Sequence, residues 1–258
     1  MSWAGRRQFT YFSIFALFVG GVLFIILYPI FHKAPTCMDG KQNGTEKGVD
    51  CGGSCQLYCP FEVSKPIVLW SRAFHVAGTS YNLLAYIENQ NKSGAVYQAP
   101  YEFRIYDTNN KLIGRREGMT FIPPNQRYAI FESRFDAGTA TPRSTTFSFV
   151  GDLVWVKKEP VLTTLPLKVD RIVLGEDATS PSLSARLVNE SVYNLPEFDV
   201  ITILYDEMKN AIAVSKTHTN GIESNTNIPI TFTWPLPFGA TPITKDVLPQ
   251  INPFTVAF

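Results

Sequence analysis

The sequence predicts an all-β protein on a membrane anchor: one transmembrane helix, a small disulfide-rich module, and two tandem antiparallel β-sandwiches. Three observations predict it. A long uncharged apolar run stands near the N-terminus. All four cysteines follow it within one short polar stretch. The rest of the chain repeats a strand-and-turn pattern twice.

The apolar run is Phe9 to Phe31, 23 residues without a charge. At 1.5 Å per residue it reaches ~34 Å, enough for a hydrocarbon core of ~30 Å. Tyr11 and Tyr28 stand near its ends, where interfacial aromatics are favoured. A cleaved signal peptide has a shorter apolar region and a small-residue cleavage site, and HKAPTC offers no such site. Arg6, Arg7 and the amino terminus precede the run, while His32 and Lys33 follow it. The positive-inside bias therefore predicts a cytoplasmic tail over 1–8, a span over 9–31, and everything from residue 32 outside the cytoplasm. The adjacent Gly20 and Gly21 would let a second helix approach closely.

Residues 32–61 form the predicted juxtamembrane module. Cys37, Cys51, Cys55 and Cys59 are spaced C-x13-C-x3-C-x3-C, without the paired knuckles of a zinc site. Outside the cytoplasm an even cysteine count implies disulfides, here two, with three pairings open. So few apolar residues cannot form a core, so crosslinks must hold the module. Asp39, Asn43, Glu46 and Asp50 recur every three to four positions among glycines. Such oxygens suit Ca²⁺, which takes six to eight, or they cap the turns between the disulfides. The stretch is similar to a C-x-D-G-x-x-N-x-x-E-x-x-x-D-C-G-G-x-C repeat of bacterial and algal surface proteins.

The remainder is read as two sandwiches, 62–159 and 160–258. Leu83, Ala85 and Asn89 recur 100 residues later as Leu183, Ala185 and Asn189. Tyr106-Asp107 recurs 99 residues later as Tyr205-Asp206, and Ala140-Thr141-Pro142 recurs as Ala240-Thr241-Pro242. Each copy alternates with period two. Tyr101, Phe103 and Ile105 alternate with Glu102, Arg104 and Tyr106, and Ile228, Ile230, Phe232 and Trp234 with Pro229, Thr231 and Thr233. Asn- and Pro-rich turns separate the runs, which is the pattern of an antiparallel sandwich.

The run Phe103-Arg104-Ile105-Tyr106-Asp107, with Asn89 before it, resembles the F-x-L-Y-D signature of FxLYD domains. In the second copy Thr202 stands where that signature has Phe, and Asn189 matches Asn89. The resemblance implies immunoglobulin-like β-sandwiches in an extracytoplasmic prokaryotic protein, and it carries no catalytic residues. The Tyr-Asp pair reads as a strand end whose carboxylate closes the following turn.

Net charge is +1, with no basic block, so no nucleic-acid footprint exists. His32, His75 and His218 form no metal-ligand pair, and the chain has neither a G-x-S-x-G elbow nor a phosphate loop. No small-molecule substrate is evident. Trp70, Trp155 and Trp234 read as core fillers. Asn43, Asn91 and Asn189 each begin an N-glycosylation acceptor pattern. The sequence thus predicts a non-enzymatic, single-pass envelope protein with structural or protein-binding sandwiches. An accessory subunit of a membrane transport or assembly complex is the alternative, and an unrecognised hydrolase a third reading.

Overall fold

The computed structural model describes residues 3–31, 34–161 and 166–256. His32 and Lys33, used above for orientation, lie outside them. The described chain divides into two compact units, 1–55 and 56–258.

In the first unit, α1 (Trp3–Phe31) extends the apolar run by two turns at its N-terminal end, through Arg6 and Arg7. It is long and apolar enough to cross a bilayer, although a signal sequence passes the same test. Its described side chains, Trp3 to Tyr28, are exposed around the circumference apart from half-buried Ser13. Beyond it, Cys37 and Cys55 form a disulfide, with Cα atoms 5.6 Å apart. Cys51 and Cys59 are disulfide-bonded as well, and no described cysteine is free. The intervening chain turns tightly through positive φ at Gly40, Gly44, Asp50, Gly52 and Gly53. At Gly53 glycine is obligatory: a Cβ would sit 1.7 Å from the Thr45 carbonyl oxygen.

The second unit begins where residues 56–58 join a sheet. After a 3₁₀ turn at Pro60–Glu62 come β1 (Ile67–Ala77), β2 (Ser80–Asn89), β3 (Gly94–Tyr106), β4 (Leu112–Ile122), β5 (Gln126–Asp136), β6 (Ser144–Phe149) and β7 (Trp155–Lys157). Then follow β8 (Leu167–Leu174), β9 (Ser182–Asn189), β10 (Phe198–Tyr205), β11 (Ala211–Thr219), β12 (Asn227–Thr233) and β13 (Thr244–Gln250). All pair antiparallel. Leu57 bridges Val156, and Tyr58 N–H donates to the Trp155 carbonyl, so the end of the cysteine-rich stretch is stitched to β7.

Four sheets result, in the orders β1-β2-β5, β4-β3-β6 with β7 beside β3, β8-β9-β12, and β11-β10-β13. The first two enclose one core around Leu83, Ile87, Phe103, Ile105, Tyr128 and Trp155. The last two enclose another around Leu183, Leu187, Val200, Leu204 and Phe232. Strand for strand, the orders correspond: β1, β2 and β5 with β8, β9 and β12, and β3, β4 and β6 with β10, β11 and β13. Period-two patterning explains the core faces. Tyr101, Phe103 and Ile105 are buried, as are Ile230 and Phe232, while Arg104, Thr231 and Thr233 are exposed. Glu102 departs from the pattern. It is buried on the outer face beneath Arg104 and Arg115, which pair with it. Thr202 is fully buried, and its hydroxyl donates to the Asp246 carbonyl at 3.0 Å.

A third apolar cluster joins the halves. Leu84 and Tyr86 of β2, Phe74 of β1 and Ala129 of β5 pack on Ile201 and Ile203 of β10 and on Ala211 and Val214 of β11. β2 and β10 are therefore buried on both faces, and Leu83 to Ile87 and Val200 to Leu204 are unbroken buried runs. Residues 56–258 are one body because two sheets, one from each half, meet face to face. Arg72 Nη1 also donates to the Ala211 carbonyl at 2.6 Å. At the C-terminal end, the Phe254 ring stands edge-on to Tyr97 at 5.1 Å, with the Lys158 ammonium over it. Trp155 lies in the first core, Trp234 borders the second, and Trp70 borders the seam.

Candidate binding cleft

The residues singled out in the cysteine-rich stretch all have local structural partners. Asp50 Oδ1 accepts from the Asp39 and Gly40 N–H groups at 2.9 and 3.1 Å. Glu46 Oε2 accepts from the Asn43 and Asp50 N–H groups at 3.2 and 3.3 Å. The Asn43 amide donates to Asp39 Oδ2 at 2.8 Å, and Lys41 N–H to Asp39 Oδ1 at 3.0 Å. The Asn43 amide, first, and these backbone donors hold the Asp39 carboxyl below the usual carboxylate range. This is the geometry of turn caps. Glu46 also lies close to the Cys37 and Cys55 sulfurs, but disulfide sulfur is not the thiolate that binds metal.

The acceptor-pattern asparagines are engaged too. Asn189 is fully buried, and its amide donates to the carbonyls of Tyr193, Ile222 and Glu223 at 2.8–3.2 Å. The Asn91 amide donates to the Ser64 carbonyl and to Asn89 Oδ1. Asn89 matches Asn189: buried at a strand end, it donates to the carbonyls of Gly94 and Pro123 at 2.8 and 2.7 Å. Asp107 and Asp206 likewise both close turns, accepting from Lys111 N–H and Asn210 N–H at 2.9 and 2.7 Å. His75 meets the Gly78 carbonyl and the Tyr81 ring.

A cavity of about 660 Å³ lies at one end of the seam. Where the apolar rows of β10 and β11 end, polar side chains begin and the sheets part. Asp199 on β10 stands opposite His218 on β11. Asp199 Oδ1 lies 2.9 Å from His218 Nδ1, and Oδ2 accepts from Lys216 Nζ at 2.9 Å. Glu197 Oε2 lies 3.7 Å from the other imidazole nitrogen. Burial would raise the Asp199 carboxyl, but the Lys216 and His218 hydrogen bonds outweigh it and hold it below the usual range. Across the cleft, the Tyr101 hydroxyl donates to Glu132 at 2.6 Å. Burial and that carboxylate push the Tyr101 phenol above its ordinary value. The Lys216 ammonium sits 5.8 Å from the Phe131 ring centroid, reaching from one half to the other. Phe121, Phe198 and Ile201 add apolar lining.

Sequence reasoning missed this cleft, because its walls come from strands far apart in the chain. The one available signal was β10 itself, whose Asp199 precedes a run too apolar for a strand with one wet face.

No family model matches the chain, and no curated protein matches it. Among solved structures, the crystal structure of red sea bream transglutaminase is similar at 11% identity and a TM-score of 0.25. The likeness covers 73% of this chain and spans 29% of that one, and it is too distant to bear on function.

Proposed function

We propose that this is a single-pass, extracytoplasmic envelope protein, non-enzymatic, whose paired sandwiches bind a ligand or partner outside the membrane. The apolar helix and the oxidised cysteines fit a membrane-anchored protein beyond the cytoplasm. Its N-terminus faces the cytoplasm, as Arg6 and Arg7 favour. Each half is read as an immunoglobulin-like sandwich of the FxLYD kind. Recurrent strand orders, matched buried Asn89 and Asn189, and matched turn carboxylates Asp107 and Asp206 support duplication.

One observation carries the binding role: the halves are locked face to face, yet part at one end into a fixed polar cleft. Pockets between packed domains are common binding sites. The anchoring is tested on the full chain in a bacterial host. Carbonate washing should leave it in the membrane fraction. An impermeant maleimide should label intact cells only after reduction. Recovery as a soluble chain, or labelling without reductant, would overturn the reading.

A further inference from the structure

We propose that the cleft between the sandwiches binds a short neutral glycan; this deepens the binding role above and rests on it. Each carboxylate of the cleft has a partner, that of Glu132 including Arg116 Nε at 3.9 Å, just outside the lining. Lys216 and His218, its basic side chains, both engage Asp199. Glu132 holds the Tyr101 hydroxyl, and Glu197 lies beside His218. An anion would have to displace Asp199 to reach a cation, and a cation would compete with Lys216. The same groups keep lone pairs and N–H bonds to spare, since an ionised carboxylate offers about four acceptor sites and an ammonium three donors. Gln250, Asn252 and Thr120 add amide and hydroxyl groups. Phe121 and Phe131, both half-buried, provide ring faces among them. Dense donors and acceptors without net demand for charge, set beside aromatic faces, match the hydroxyls and C–H faces of a sugar. The volume, about 660 Å³, lies in the usual range for small-ligand sites.

An extended peptide binds by adding to an open sheet edge. β10 offers none, being paired with β11 and β13 on both sides, whereas β4 and β5 on the facing wall end their sheets, so a peptide is the competing occupant that the test separates. The cleft is also held open in advance. The apolar seam closes it on one side, and contacts of the C-terminal turn with Tyr97 and Lys158 fix the other end of the second half. Little ordering cost remains at binding.

The test is calorimetric titration of the full chain, in a detergent without a sugar headgroup, with maltotriose, mannotriose and chitotriose. At least one should bind with a dissociation constant between about 10 μM and 1 mM. Raising salt from about 0.05 to 0.5 M should change it less than twofold, because no ion pair forms with the ligand. Asp199→Asn should weaken binding at least tenfold. Glu197→Gln, at an exposed position, should weaken it two- to fivefold with unchanged thermal unfolding. Leu236→Ser, remote from the cleft, should change nothing. Failure of all three sugars with a chain that melts cooperatively overturns the proposal and leaves the membrane-anchored reading standing. So does sugar binding untouched by Asp199→Asn and Glu197→Gln. Binding of a charged peptide that these substitutions abolish keeps the cleft as a site but overturns the glycan.

Discussion

The two halves share a strand order and present opposite faces. In the first, the outward face of β2 carries Leu84 and Tyr86, whereas β9 carries Ser184 and Arg186 at the matching positions. In the second, β10 carries Ile201 and Ile203, whereas β3 carries Glu102 and Arg104. The apolar faces meet. The polar faces remain outside, each bearing an arginine–carboxylate pair: Arg104 with Glu102, and Arg186 bidentate on Asp170 at 2.7 and 2.6 Å. Because the joined faces differ, the contact is heterologous, a kind that can propagate from copy to copy. Neither outer face repeats the apolar pattern of the joined ones. Four substitutions at matched positions separate a stack from a pair of independent domains.

The largest effect should come from making the inner face resemble the outer one. Ile203→Arg buries an unpaired guanidinium in the seam, at an expected cost of about 4 kcal/mol or more. Small-angle scattering should show the second unit lengthening as the halves part. An unchanged profile and melting temperature would mean that the seam contributes nothing.

Next come the paired asparagines. Removing either leaves buried carbonyls without donors, costing about 2–3 kcal/mol. Asn189 makes three amide contacts to Asn89's two, so Asn189→Ala should destabilise the more in denaturant titration. The reverse order would mean that the hydrogen bonds are not what sets these positions. The same engagement predicts no glycan on Asn189 of the folded chain, readable by mass.

The reciprocal swap, Ser184→Leu with Arg186→Tyr, gives β9 the apolar face of β2. Stability should change little, because an exposed ion pair contributes little. The chain should instead self-associate in sedimentation, through the new apolar patch.

The smallest effect is acid sensitivity. Hydrogen bonds lower the carboxyls of Asp136, Asp170, Asp177, Asp199 and Asp206 in the folded second unit. Folded values below the unfolded ones mean stability that is complete above about pH 4 and lost as pH falls through the folded values. Thermal melts should be flat from about pH 7 to 5 and drop below about 4. Lys216→Met should lessen the Asp199 share of that drop.

Much was legible because it is local. An apolar run long enough to span a bilayer, cysteines clustered in a stretch without core residues, period-two patterning, and asparagine or aspartate at strand ends each depend on neighbours within a few residues. The disulfide partner of Cys37 was not legible, since spacing allows three pairings; the turns at Gly40, Gly44 and Gly53 bring it to Cys55. Glu102 read as a solvated position, because its shelter comes from Arg115 on a neighbouring strand.

The sequence by itself determined the elements: a helix of membrane length, oxidisable cysteines, and two sets of amphipathic strands with a buried amide at each turn. It also held the difference between the halves, as Leu84 and Tyr86 against Ser184 and Arg186. Only the tertiary structure decided which faces meet. An apolar residue on a strand's second face says that something must cover it, but not which of several sheets, because burial is non-directional. The cleft follows from that choice. It exists only where two sheets from opposite ends of the chain, pressed together along their apolar rows, run out of apolar residues at Asp199 and His218.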